Sequence, residues 1–394
     1  MRSLLAFALL VSGTPAMAGG AMEQATNHPN LKAGLIHLYN LDYDKTQESA
    51  LSFRRQYPAN PFGHLFLAGA AWWRYTTESE QLRPDTDFLD RFDDYVDATV
   101  DAAKPLIRSK DKVAKTDGLF TAGMVLGLRG QMKLTNGKFF GAYRDGKKAM
   151  KYLRKCVKIN PQYDDALMGL GIFDYQVAVL PGILKFGAKL LFRGTGNAAR
   201  GIRRIRSSIS KGRFANNQAA AFLLTIFMVN EHDYTQAYDV VNDLHIKFPE
   251  SPYYGFMHAA LLHRSETPAE SRTAMRAIFD RHQAEPHLLA SKQLGTICGQ
   301  FGPDCLDRNY LQAADAWLNE SLPLEKDPSE YKALLTLYRG VVRDLLGKRR
   351  EAIADYNALV KLPEIVSSRA WGKRCSVKAC KKKDAIRLLR GERP

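Results

Sequence analysis

Arg200, Arg203 and Arg204 fall on one face of a helix expected over 198–211, with Arg193, Arg206, Lys211 and Arg213 around them. Guanidinium forks match carboxylate and phosphate oxygens, so the chemistry on offer is anion recognition. Ile202, Ile205 and Ile209, at i, i+3 and i+7, make the buried stripe of the same helix. From Tyr175 to Asn230 there is no Asp or Glu, against nine Lys and Arg. Just upstream, an apolar run through Leu180, Ile183, Leu184, Phe186, Leu190, Leu191 and Phe192 carries Lys185 and Lys189. Apolar and cationic residues in one segment suit an anionic membrane surface. They suit an acidic polysaccharide almost as well. A third reading packs the segment into the fold as an irregular helix with solvated arginines. The candidate anion- and membrane-contact residues are thus Lys185, Lys189, Arg193, Arg200, Arg203, Arg204 and Arg206.

Catalytic patterns are thin. Gln47-Glu48-Ser49-Ala50-Leu51 and Pro249-Glu250-Ser251-Pro252 hold Glu-Ser pairs, and the first resembles the catalytic glutamate segment of the lytic transglycosylases. That resemblance would imply cell-wall cleavage. Neither pair is followed by the Gly-Leu-Met-Gln type segment that completes such a site, so this is the weakest reading. The nine histidines form no H-E-x-x-H pattern, and His258 and His263, five apart, do not share a helix face. No G-x-S-x-G turn or P-loop occurs. Gly194-Thr195-Gly196-Asn197 reads as a turn whose Asn197 caps the next helix. The expectation is a non-enzyme with no metal and no cofactor.

Residues 1–18 have one arginine, an apolar run from Leu4 to Val11, and small residues Ala16 and Ala18, the pattern of a signal peptide cut after Ala18. The run is too short to span a bilayer, and no cysteine follows the cut to carry a lipid anchor. A periplasmic or secreted protein follows. Its formal charge of +16 then points to anionic lipid or acidic glycan, with nucleic acid excluded by compartment. Cys298 with Cys305, and Cys375 with Cys380, read as local disulfides, with pairing across the two sets as the second arrangement. Zinc needs other spacings. Cys156 is left as an apolar filler.

The scaffold shows in a repeated interval. Ala149 and Pro161, then Ala237 and Pro249, are twelve residues apart, as are Gly340 and Ala352. Leu167, Leu170 and Gly171 follow Pro161, and Gly255, Ala259 and Leu262 follow Pro249. Small residues let antiparallel helices approach closely, and proline ends the second helix of each pair. These positions, in near-34-residue register over roughly 31–363, resemble the tetratricopeptide repeat (TPR) family. The resemblance implies an all-α, right-handed TPR-like superhelical solenoid of about eight helix hairpins, whose concave face binds partners. The pattern L-P-x-x-L-K-F-x-x-x-L-x-F-R-G from Leu180 is similar to the inclusion-body-clearance family of eukaryotic TPR proteins, which implies contact with lipid droplets or organelle membranes. The signal peptide departs from that family.

The expected organisation is a signal peptide at 1–18, a TPR-like solenoid at 19–363 with an apolar and basic insertion near 180–197, and a basic tail at 364–394. That tail has ten basic residues against three acidic, while 78–101 has nine acidic against two basic. Gly118, Gly123, Gly127 and Gly130 in one helix predict close helix packing. The first functional expectation is a non-catalytic scaffold or adaptor binding envelope proteins through the concave face. The second is a peripheral binder of anionic membrane or acidic polysaccharide through 180–213.

Overall fold

Short polar side chains set where the helices begin. Asp42 accepts from the Lys45 amide, Asp111 from Ala114, Asn197 from Arg200 and Asp233 from Gln236, at 2.7–3.2 Å. Each satisfies an amide that the first helical turn leaves without a partner. Proline sets the ends: Pro58, Pro161 and Pro249 each follow the last helical residue by two positions. The chain is accordingly all-α, with no strand among the described residues. The computed structural model describes residues 20–77, 86–179, 196–264, 330–365, 367–389 and 392–394, with isolated positions between 265 and 329. The expected signal peptide, most of the 180–197 insertion, Cys298 and Cys305 lie outside the described residues.

The helices pair as antiparallel hairpins. α1 (Ala21–Asn27) precedes α2 (Pro29–Tyr39) and α3 (Tyr43–Gln56), and α4 (Pro61–Thr77) packs on α5 (Thr86–Arg108). α6 (Lys112–Thr135) pairs with α7 (Phe139–Ile159), and α8 (Asp165–Val179) with α9 (Ala198–Lys211). Next come α10 (Asn216–Thr225), which runs on as a π turn over Ile226–Glu231, then α11 (Tyr234–Lys247) and α12 (Pro252–Arg264). α13 (Glu330–Leu345) pairs with α14 (Arg349–Ala358).

Glycine explains how closely some of these helices approach. A Cβ on Gly171 would stand 2.7 Å from the Gly201 carbonyl oxygen, so α8 and α9 meet backbone to backbone. On α6, side chains at Gly118 and Gly123 would collide with α5 and with Leu153 at 2.8 Å. Gly127 differs from the packing expectation: nothing stands within 4 Å of its added Cβ.

One apolar core runs from Ala21 to Leu261 and includes Phe53, Phe62, Phe120, Leu126, Ile205 and Tyr254. Within it the chain closes on itself. The Ser251 hydroxyl donates to the Tyr39 carbonyl, 212 positions away. The Tyr39 ring lies 4.7 Å from Phe248, 5.2 Å from Trp73 and 5.7 Å from Tyr254, centre to centre. In an open repeat array each unit touches only its neighbours. Here α2 and α4 reach α11 and α12. A buried carboxylate fixes α1 as well: Asp117 accepts from the Met22 amide at 3.0 Å and from the Tyr163 hydroxyl at 2.8 Å.

Residues 364–394, read from sequence as a basic tail, fold onto α13 and α14 as α15 (Ser368–Val377) and α16 (Lys382–Leu389). Trp371 is wholly buried there. Asp344 ties the unit together, accepting from Arg349 at 2.9 Å, the Tyr356 hydroxyl at 2.9 Å and the Cys380 amide at 2.7 Å. Cys375 and Cys380 form the disulfide expected of them.

Candidate functional site

The structure gives two arginines of the α9 cluster an internal partner. Arg200 donates to both oxygens of Asp174, at 2.7 and 2.8 Å, and Arg204 donates to Oδ2 at 2.5 Å. Asp174 lies on α8 with its side chain only 7% exposed. A buried carboxylate is costly unless it is paired and fully hydrogen-bonded. Two of the expected anion ligands are therefore spent on stapling a hairpin. Arg206 donates to Gln236 at 2.5 Å and lies over the Phe227 ring at 5.8 Å. On this helix Arg203 and Lys211 remain as exposed cations without a partner among the described residues. Lys185, Lys189 and Arg193 lie outside them.

A different helix carries the exposed positive charge. Arg144, Lys147, Lys148, Lys151, Lys155 and Lys158 of α7 are all exposed. At ~100° per residue they fill an arc of about 100°, while Asp145, Ala149, Leu153 and Cys156 face the core. Lys147 contacts the Tyr143 hydroxyl at 3.2 Å, and the other five have no ion-pair partner among the described residues. At the start of the helix Phe139 and Phe140 are 70% and 78% exposed, beside Leu134 at 52%. Apolar side chains that large are normally sheltered, and a cluster of them marks a contact surface.

The fold makes that tip rigid. Gly137, at φ +71°, ends α6 in the left-handed region that glycine enters without strain. The Lys138 amide then donates back to the Lys133 carbonyl at 2.7 Å, closing the turn. Beneath it Asp145 accepts from Arg129 at 2.9 Å and Lys133 at 2.7 Å. Burial alone would raise the Asp145 carboxyl, but these donors outweigh it and hold the group below its ordinary range. Arg129 and Lys133 of α6 thus point inwards, and the exposed cations of α7 face outwards.

A cavity of about 390 Å³ opens between α1, α2, α4, α6 and the 213–218 turn. Its wall is mainly apolar, built from residues such as Leu35, Leu65, Phe66, Met124, Leu128 and Phe248. Among the described residues lining it there is no carboxylate, while Lys32, Arg213 and Lys247 are present.

No group of three or more His, Cys, Asp or Glu is placed to hold a metal ion among the described residues. No described helix is long and apolar enough to cross a membrane. Glu48 lies on the exposed face of α3, and Glu250 in an exposed turn before α12. The Cys156 thiol is buried and its ionisation pushed up by that burial.

Comparison with known proteins adds no relative: no family model and no curated protein matches the chain. The α7 surface was legible without one. Arg144, Lys148, Lys151, Lys155 and Lys158 recur at the spacing of one helix face, and Phe139-Phe140 stands directly after a glycine turn. It is not an acid-free stretch, because Asp145 interrupts the run in sequence while pointing inwards in space.

Proposed function

We propose that this chain is a non-catalytic, exported, TPR-like helical scaffold that docks peripherally on an anionic membrane surface. The exposed face of α7 carries the proposal, with six cations in one arc and Phe139 and Phe140 at its tip. Each Lys or Arg held near an anionic surface contributes roughly 1 kcal/mol. Each aromatic ring that leaves water adds about 1.5–3 kcal/mol when fully buried. The sum suits reversible association, weakened by salt because the charges are exposed. The aromatic tip favours lipid over an acidic polysaccharide, whose carboxylates would need the cations alone. The first functional expectation, an adaptor working through an open concave face, has less room here, because α2 and α4 pack against α11 and α12.

Vesicle flotation of the protein beginning at Gly19 tests the reading. Binding to anionic phosphatidylglycerol vesicles, absent from neutral phosphatidylcholine and falling with salt, is expected. Changing Phe139 and Phe140 to Ser, or Lys148, Lys151 and Lys155 to Gln, should abolish it. Equal binding by these variants, or no binding by folded protein, would sink the proposal. Tight retention on polygalacturonate with no vesicle binding would transfer the surface to acidic glycans.

A further inference from the structure

The cavity beneath α2 has a second use for charge. Its apolar wall comes mainly from α2, α4 and α6, with Phe248 beside the Tyr39–Ser251 closure, so it belongs to the core and not to the α7 surface. Gly69 lies on this wall in the middle of α4, where glycine costs a helix roughly 1 kcal/mol against alanine. Helix packing does not require it, since an added Cβ would meet only the Gln218 amide oxygen, at 4.0 Å. Its effect is to keep the groove open.

The charged groups lining the groove are of one sign. Lys247 donates to Asn217 at 2.6 Å and has no ion-pair partner among the described residues, and burial lowers its ammonium below the ordinary lysine range. Arg213 donates to the Met22 sulfur at 3.2 Å and acts through space on buried Asp117. Lys32 is exposed on α2 without a partner among the described residues. The backbone amides of residues 213, 214 and 215 already donate to Asp165, at 2.7–3.0 Å, so a charged donor to a ligand comes from the side chains. An apolar channel of this volume with a few converging polar groups is the ordinary form of a small-molecule site.

We infer that the groove binds a single-chain anionic amphiphile, its acyl chain against the α2, α4 and α6 walls and its head group at Lys32, Arg213 and Lys247. The head is a carboxylate or a phosphate, both of which take donors from ammonium and guanidinium groups. A peptide fits less well, because its backbone would need polar partners along an apolar wall. This inference is independent of membrane docking, since it uses none of the α7 residues.

The test is a solution titration of the full exported chain with cis-parinaric acid, a fluorescent fatty acid, without vesicles. Saturable binding at one site per chain is expected, with displacement by palmitate and by palmitoyl lysophosphatidate. The more effective competitor identifies the head group. Hexadecanol, with the same chain and no charge, should compete about tenfold less well, the factor for one charge-assisted contact. Gly69→Leu fills the groove with a residue that favours helix and should remove binding while leaving the melting temperature intact. Changing Lys32 and Lys247 to Gln should weaken palmitate and leave hexadecanol unchanged. Absence of saturable binding, retention of it in folded Gly69→Leu, or equal competition by hexadecanol and palmitate would each overturn the inference. The Phe139 and Phe140 variant should bind parinarate normally, so failure here and failure of membrane docking are separate results.

Discussion

Asp145 on α7 and Asp355 on α14 are held by the same device. Each buried carboxylate takes an arginine sixteen positions before it, Arg129 or Arg339, and a second cation twelve positions before it, Lys133 or Arg343. Between them, a left-handed glycine, Gly137 or Gly347, turns the chain, and the lysine after it donates its amide to the carbonyl of that second cation. The sequence RGQMKLTNGKFFGAYRD aligns with RGVVRDLLGKRREAIAD across this unit. These are two copies of one ion-paired hairpin.

Removing either carboxylate should be severe, because it leaves two cations facing each other over a buried position. Asp145→Asn and Asp355→Asn should each destabilise by about 3–5 kcal/mol, read from urea unfolding at neutral pH. For Asp145, whose carboxyl is held below its usual value of 3.8, the stabilisation is complete above that value and lost as pH falls further. A midpoint unmoved by Asp145→Asn would show that the pair contributes nothing net.

The α9 arginines should behave as structure and not as ligand. Changing Arg200 and Arg204 together to Gln strips the buried Asp174 of these donors and should cost roughly 1–3 kcal/mol. Arg203→Gln, on the exposed face, should stay within about 0.5 kcal/mol of the parent. Vesicle binding by both variants should match the parent wherever the protein is folded.

Acid should weaken the fold before the carboxylates titrate. Burial lowers the imidazoles of His64, His245 and His258 below their ordinary 6.5, and takes His64 to about 4. The unfolded chain therefore binds these protons first. Stability is full above pH 6.5 and declines towards pH 4, at up to about 1.4 kcal/mol per pH unit for His64. Unfolding midpoints at intervals between pH 7.5 and 4 measure this, and His64→Gln should flatten the curve.

The glycines of α6 separate packing from open space. Gly127→Ala should stabilise by about 0.5–1 kcal/mol, since the new methyl meets nothing within 4 Å. Gly123→Ala presses on Leu153 at 2.8 Å and should destabilise. Opposite signs in thermal melts of these two variants are the expected result.

Helix positions were readable in the sequence because prolines, Asp and Asn caps, and apolar spacing are local signals. Asp111, Asn197 and Pro161 mark their helix ends without help from distant residues. The α9 ion pairs were not legible for the complementary reason: periodicity places Arg200 and Arg204 on a face but does not say that Asp174, twenty-six and thirty positions earlier, faces them. The Tyr39–Ser251 closure and the cavity beside it leave no local trace at all. The paired ion hairpins were legible, but only to a comparison of charged residues, whereas the small-residue interval drew attention to Ala149 and Gly340.

The Tyr39–Ser251 bond joins positions 212 residues apart, and a ribosome adds ~5–20 residues each second. A newborn chain therefore carries Tyr39 and Trp73 for between about 10 and 40 s before Phe248 and Tyr254 exist to shelter them. During that interval the first hairpins are sticky fragments, and a holding chaperone that releases them only after α12 emerges would decide the yield.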